Sequence, residues 1–324
     1  MSATLDAIKY PVKEELRKFE QHFKASMKSS VPLLDKITYY IVQKKGKQIR
    51  PILVFLSARM CGHINESTYV AASLVELLHT ATLVHDDVVD DAYQRRGFFS
   101  VNALWKNKIA VLVGDFLLSQ GMNIALESKN YNHLHIVSKA IKQMAEGELL
   151  QLEKARRLDI DEAVYYEIIR QKTASLIAAA CCAGASSTTE NPQLTQKMWE
   201  FGEKIGIAFQ IKDDLFDYGD SNIGKPKGID IKEKKMTLPL IYALSKAPAA
   251  EKKDILHAIR KNSESDSVVK KVIEFVRRYD GINYATRMMT EYQQQALQMI
   301  ENMEPSEALH SMKELVHFVI ERDK

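Results

Sequence analysis

The stretch Val70-Ala71-Ala72-Ser73-Leu74-Val75-Glu76-Leu77-Leu78-His79-Thr80-Ala81-Thr82-Leu83-Val84-His85-Asp86-Asp87-Val88-Val89-Asp90-Asp91 decides the fold. From Val70 to Val84 its apolar residues fall on several faces of a 3.6-residue period, which predicts a helix buried on most sides. That helix runs straight into four aspartates. On a helix Asp86 and Asp90 share one face, four positions apart, and like charges at that spacing cost a few tenths of a kcal/mol. Desolvation beside an apolar helix adds to the cost, and a bound cation would offset it.

The pattern recurs. Lys212-Asp213-Asp214-Leu215-Phe216-Asp217 closes a second helical run that starts near Trp199. A chain of this length carries roughly 0.05 copies of DDxxD by chance, so two copies, each at the end of an apolar helix, point to a site rather than to solvated helix ends. Mg²⁺ fits such a donor set. It prefers oxygen ligands and is usually held by one or two carboxylates completed by substrate phosphates. Cys and His at zinc spacing are absent.

The rest of the chain reads as helix throughout. Ile109–Leu126, Leu134–Leu152 and Val164–Ala180 are periodic, and the tail from Ser267 to Arg322 alternates charged and apolar turns as a solvent-facing helical pair would. Breaks fall at Gly62–Asn65, Arg95–Ser100, Ser186–Pro192 and Asp220–Asp230. Only 13 Gly and 8 Pro in 324 residues favour long helices over strands and turns. No strand alternation, Gly-rich nucleotide loop or repeat appears, so the expected architecture is one all-α domain over residues 1–324.

Composition narrows the function. Hydrophobic residues make up 46% and charged residues 27%, ordinary globular values. A net charge of +3 without a basic block argues against nucleic acid. Of three cysteines, Cys181 and Cys182 are adjacent in a small apolar stretch and read as core, which suits a reducing cytoplasm. No apolar signal core opens the chain, and no stretch is expected to span a membrane. Basic residues accompany the acidic motifs: Lys47 and Arg50 on one face if helical, Arg95 and Arg96 after the first motif, then Lys172, Lys225 and Lys235. Carboxylates for metal with Lys and Arg for direct contact are what a diphosphate requires.

With these motifs the sequence strongly resembles the trans-isoprenyl diphosphate synthase, or polyprenyl synthetase, family. The resemblance runs from about Leu34 to Leu240. It is carried by Gly46-Lys47-Gln48-Ile49-Arg50-Pro51, His79 through Asp90, Arg95-Arg96-Gly97, Gly114-Asp115-Phe116, Gly147-Glu148, Lys172-Thr173, Phe209 through Asp214, and Gly224-Lys225-Pro226 through Lys235-Met236-Thr237. It implies a bundle of long helices around a deep central cavity, the isoprenoid synthase fold, usually as a homodimer, with the two motifs facing each other across the cavity mouth. It implies Mg²⁺ as cofactor, two ions on Asp86 and Asp90 and a third on Asp213, with Asp87, Asp214 and Asp217 supporting them. Arg95, Lys172, Lys225 and Lys235 would contact an allylic diphosphate. Lys47, Arg50, His79 and Arg96 would hold isopentenyl diphosphate, and Thr173 and Gln210 would face the allylic cation. The chain departs from the family at Lys45 and Lys234, which stand where Gly is usual, and at Lys212.

The implied reaction is the metal-dependent condensation of isopentenyl diphosphate with an allylic diphosphate. His79 and His85 are tempting bases, but packing or phosphate contact suits them better, and the released diphosphate can take the proton. Ala81 and Thr82, five and four positions before Asp86, are both small, which in this family leaves the product path open and implies a hexaprenyl-to-decaprenyl product, typical of quinone side chains. The path would end near Phe116, Met122 or Ile124. Such a product implies peripheral membrane contact at its release. A short-chain synthase and a non-catalytic subunit of a heteromeric synthase remain as alternatives. A related terpene cyclase is disfavoured by the second DDxxD.

Overall fold

The structure, a computed structural model, describes residues 4–43, 46–95, 97–219 and 228–321. In chain order its helices are Leu5–Lys9 (α1), Lys13–Ser26 (α2), Pro32–Gln43 (α3), Ile49–Cys61 (α4), Glu66–Val89 (α5), Val101–Glu127 (α6), Tyr131–Arg157 (α7), Glu162–Ile169 (α8), Ser175–Ser186 (α9), Pro192–Phe216 (α10), Ile229–Lys232 (α11), Leu238–Lys246 (α12), Ala249–Asn262 (α13), Asp266–Arg278 (α14), Gly281–Ile300 (α15) and Glu307–Glu321 (α16). The only strands among the described residues are Gln94–Arg95 (β1) and Phe98–Phe99 (β2), a two-residue antiparallel ribbon. The fold is all-α, as the periodicity predicts.

Local chemistry sets the ends of the two motif helices. The Asn65 side chain caps α5 by accepting from Ser67 N at 2.9 Å, while Thr68 Oγ1 accepts from Asn65 N at 3.3 Å. The helix then buries Ala71, Leu74, Val75, Leu77, Leu78 and Ala81 and ends at Asp90, followed by Asp91 in the left-handed region at φ 48°. Asn191 caps α10 in the same way, with Pro192 at the first helical position.

The centre of the core is α9, whose small residues Ala178 to Ala183, including Cys181 and Cys182, are buried between α4, α7 and α10. Two close approaches make this layer thin. A Cβ on Gly184 would lie 2.2 Å from Val54 O on α4, and one on Gly206 would lie 2.4 Å from Ala174 Cα, just before α9. Only glycine allows these backbones to meet.

Three features differ from the sequence reading. Val164–Ala180 is helical, but Arg170–Ala174 winds as a π turn between α8 and α9. The tail forms three helices, not a solvent-facing pair, because Asp280 turns left-handed at φ 59° and Pro305 interrupts it. Its last helix, α16, packs on α4 and buries Leu315, Val316 and Val319. Finally, α6 has the length and apolar composition to cross a membrane, alone among the described helices. Its Ala110, Val113, Leu117 and Ala125 are buried, in a helix that packs chiefly on α5, while Leu112, Met122 and Leu126 remain exposed.

Candidate active site

The first motif occupies the last turn of α5. Asp86 is half-buried, Asp90 is exposed and Asp87 is buried on another face. Arg95 Nε on β1 donates to Asp87 Oδ1 at 2.7 Å, and Asn102 Nδ2 donates to the Asp87 carbonyl at 3.0 Å. Asp87 therefore ties the ribbon and the start of α6 to the motif. Burial raises the Asp87 carboxyl despite Arg95. Burial, with the nearby charges of Glu148 and Asp90, pushes Asp86 up to about 6 against the pull of Lys172 and Arg95. His85 is packed under α6: Nε2 lies 3.2 Å from Val111 O and 3.6 Å from Asp115 Oδ1, and its ring fills the space a Cβ on Gly114 would need.

Lys172 and Thr173 ride on the π turn, and π turns recur at functional sites because they re-aim side chains within a helix. Gly147 lets α7 approach, since a Cβ there would lie 2.9 Å from Lys172 N. Glu148 Oε2 then pairs with Lys172 Nζ at 2.5 Å, and Gln151 Oε1 accepts from it at 3.2 Å. On the next residue, Thr173 Oγ1 donates to Gln210 Oε1 at 2.7 Å. The π turn thus points one residue toward each motif.

The second motif closes α10. Asp213 is half-buried. Asp214 is buried, accepting from Gln210 Nε2 at 2.9 Å and from Tyr165 Oη at 2.7 Å. Burial, then the charge of Asp230, pushes it up to about 7 against those two hydrogen bonds. Asp217 is raised by burial and by Asp230 to about 6, although the backbone N–H groups of Ile229, Asp230 and Ile231 donate to it. It caps the short helix α11. Lys235 pairs with Glu233 Oε2 at 2.5 Å and lies 3.6 Å from Asp230 Oδ1. Burial works against its charge, but Glu233, Asp230 and Asp90 hold its pKa above the ordinary value. Lys212 turns aside, with Nζ 5.1 Å from the centre of the Phe216 ring.

The charge of Asp90 bears on Lys235 beside the second motif, and that of Lys172 on the π turn bears on Asp86 in the first. Beside the second motif a pocket of about 100 Å³ is lined by Gln151, Tyr165, Lys172, Thr173, Gln210, Asp214, Asp230 and Lys235. A second cavity, of about 490 Å³, is lined by the polar residues Lys47, Arg50, His79, Asp87 and Arg95 and by apolar ones that include Phe23, Leu53, Ile205, Phe209 and Val319. Arg50 Nη1 donates to His79 Nε2 at 2.8 Å. Lys47 and Arg50 do not share a helical face, because α4 begins at Ile49 and Gln48 is left-handed at φ 54°. They meet at the cavity through that turn.

Arg96 and Lys225, like Lys45, lie outside the described residues. Ala81 is fully buried, and Thr82 is half-buried with its hydroxyl donating to His79 O at 2.9 Å; neither lines the larger cavity. Phe116 and Ile124 pack against the core, whereas Met122 is exposed on the outer face of α6. Sequence reasoning gave no role to Glu148, Gln151, Tyr165 or Asp230. Glu148 had a signal, its place after the one glycine that lets α7 touch the π turn. Asp230 had a weaker one, its place between the second motif and Lys235.

The polyprenyl synthetase family model matches residues 31–276. The chain belongs to the polyprenyl synthetase family. It is 32% identical to octaprenyl diphosphate synthase of Haemophilus influenzae, over 99% of this chain and 98% of that protein. Among solved structures, polyprenyl synthase from Caulobacter crescentus, crystallised with calcium and isoprenyl diphosphate, superposes with a TM-score of 0.91 at 30% identity, covering 100% of this chain and 99% of that one. Geranylgeranyl pyrophosphate synthase from Bacteroides thetaiotaomicron superposes with a TM-score of 0.83 at 37% identity, covering 98% and 99%.

The donors of this polyprenyl synthetase suit a divalent cation that a diphosphate completes. Asp86 is raised first by burial and then by the neighbouring charges of Glu148 and Asp90, so a cation there would favour its ionised form. No three carboxylate, His or Cys side chains are already drawn into a metal cage among the described residues. A hard ion held by one or two carboxylates plus phosphate oxygens needs no such cage.

Proposed function

We propose that this polyprenyl synthetase is a Mg²⁺-dependent long-chain trans-prenyltransferase that condenses isopentenyl diphosphate repeatedly with an allylic diphosphate. The observation that supports the reading is that Lys172 bears on Asp86 of the first motif while Asp90 of that motif bears on Lys235 beside the second. In this reading Asp86, Asp90 and Asp213 hold the metals, and Lys172, Lys235 and Arg95 grip the allylic diphosphate. Bound Mg²⁺ supplies Lewis-acid stabilisation of the departing diphosphate.

Each side chain then has a task. The basic residues neutralise charge as the C–O bond to the allylic carbon breaks. Arg50, held by His79, and Lys47 bind isopentenyl diphosphate at the mouth of the larger cavity, which sets its double bond against the allylic cation. A new C–C bond forms from that double bond, and a proton leaves the neighbouring carbon for the released diphosphate. His85, packed under α6, is poorly aimed to take it. Asp87, Asp214 and Asp217 brace the site by holding Arg95, Gln210 and α11.

A second copy of the chain is the proposed occupant of the exposed apolar residues Leu112, Met122 and Leu126 on α6 with Leu149 and Leu152 on α7. A long-chain product suits a role in quinone side-chain supply from the cytoplasm, handed over at a membrane surface. The test is to incubate the chain alone with Mg²⁺, a short allylic diphosphate and labelled isopentenyl diphosphate, then size the dephosphorylated products. Metal-dependent hexaprenyl to decaprenyl alcohols support the reading. Growth that stops at farnesyl or geranylgeranyl makes it a short-chain synthase, and no incorporation makes it a subunit that needs a partner.

A further inference from the structure

We propose that Tyr165 is a positioning residue: through a hydrogen-bond wire running Tyr165–Asp214–Gln210–Thr173, it fixes the polarity of the Thr173 hydroxyl at the reacting carbon. The inference rests on the proposed prenyltransfer. Three hydrogen bonds build the wire: Tyr165 Oη to Asp214 Oδ2 at 2.7 Å, Gln210 Nε2 to Asp214 Oδ1 at 2.9 Å and Thr173 Oγ1 to Gln210 Oε1 at 2.7 Å. Tyr165 and Asp214 are 3% and 6% exposed, so water does not compete for them. Thr173 and Gln210 are half-buried and line the pocket at the second motif with Lys172 and Lys235.

The direction of every bond follows from Asp214. In its ionised form Asp214 only accepts: it takes Tyr165 Oη on Oδ2, and Gln210 turns its NH₂ toward Oδ1. The amide oxygen then faces Thr173 and takes the hydroxyl proton. The Thr173 oxygen is left with its lone pairs toward the pocket, where an allylic cation would develop. With the Gln210 amide reversed, its NH₂ would claim those lone pairs and the hydroxyl proton would point at the cation. Tyr165 opposes that reversal by holding the second oxygen of Asp214. A tyrosine that touches no substrate would thus decide whether Thr173 presents a negative or a positive dipole at a charge that forms only in the transition state.

The test is a double-mutant cycle on single-turnover condensation rates, with Tyr165→Phe, Thr173→Val and the double variant. Tyr165→Phe should lower the rate about tenfold or more while KM for both diphosphates stays within about twofold. The double variant should be no slower than Thr173→Val, because without the hydroxyl there is no polarity to fix. Losses that multiply in the double variant, or a loss confined to KM, would overturn the proposal while leaving the prenyltransfer intact. An inactive wild-type chain would overturn both. Were Tyr165→Phe not to fold, 3-fluorotyrosine at position 165 keeps the shape and strengthens the donor. Its effect on rate should vanish in the Thr173→Val background, and an equal effect there would overturn the wire.

Discussion

Replacing Gly206 by Ala should separate the two sides of the site without touching a charged or polar group. A Cβ at position 206 would lie 2.4 Å from Ala174 Cα and 2.6 Å from Ala174 Cβ. Ordinary carbon contacts begin near ~3.4 Å, and backbone cannot swing aside as a long side chain does, so α10 and the π turn must separate by about 1 Å. Ala174 follows Thr173, and Gln210 lies one turn beyond Gly206 on α10. The Thr173–Gln210 bond of 2.7 Å would then stretch past the hydrogen-bond limit. A misplacement of about 1 Å costs on the order of 10²-fold in rate, and overpacking costs about 1–3 kcal/mol in stability. The assay is steady-state condensation with a melting curve. Gly206→Ala should lose about 10²-fold in kcat with little change in KM for isopentenyl diphosphate, whose proposed place is the other cavity. Gly202→Ala is the control: its Cβ would lie 2.7 Å from Ala178 Cα, a comparable clash one turn further from the motif. Wild-type turnover in Gly206→Ala, or equal slowing in both variants, would refute the geometric argument.

Other outcomes follow from the same site. Asp86→Ala or Asp213→Ala should cost about 10²-fold or more in rate, measured at saturating Mg²⁺. Asp86, Asp214 and Asp217 are raised in the folded state to about 6, 7 and 6, so between pH ~4 and pH ~7 the folded chain binds more protons than the unfolded one. Metal-free stability should therefore fall as pH rises through that window, and Mg²⁺ with a diphosphate should remove the slope in denaturant titrations; a metal-free optimum above pH 7 would contradict the sign. Lys234 occupies the left-handed region at φ 57°, so Lys234→Gly should gain roughly 0.5–1 kcal/mol in the same titrations. Thr82→Phe, half-buried on the Asp86 face of α5, should shorten the products, and an unchanged length distribution would remove Thr82 from the growth path.

Much of this site was legible in residue spacing. Asp86 and Asp90 on one helical face, the second copy at Asp213, and buried helices leading into both follow from a 3.6-residue period. The period cannot say which aspartate of a pair turns inward. Asp87 and Asp214 are spent on Arg95, Tyr165 and Gln210; Gln210 lies one turn back on α10, but Arg95 on β1 and Tyr165 on α8 are brought in by the fold. The π turn was illegible because Arg170–Ala174 is ordinary helical composition; the extra residue is fixed by α7 and α10 pressing on it through Gly147 and Gly206. Lys47 and Arg50 would share a face only if helical, and nothing in their spacing announces the left-handed Gln48 that keeps Lys47 out of α4. The apolar wall supplied by α16 was hidden in a tail whose alternating charges suit solvent equally well. The usual Gly at position 234 finds its reason in the backbone: Lys234 holds a conformation that glycine adopts without strain.

The central claim is that two aspartate motifs grip a single diphosphate through metal. Calorimetric titration of an unreactive allylic thiodiphosphate tests it most directly, using the wild-type chain, Asp86→Ala and Asp213→Ala, each with and without Mg²⁺. Binding should require Mg²⁺ and should weaken at least about tenfold in each variant, since each motif supplies part of the same grip. Metal-independent binding, or wild-type affinity in either variant, would contradict it.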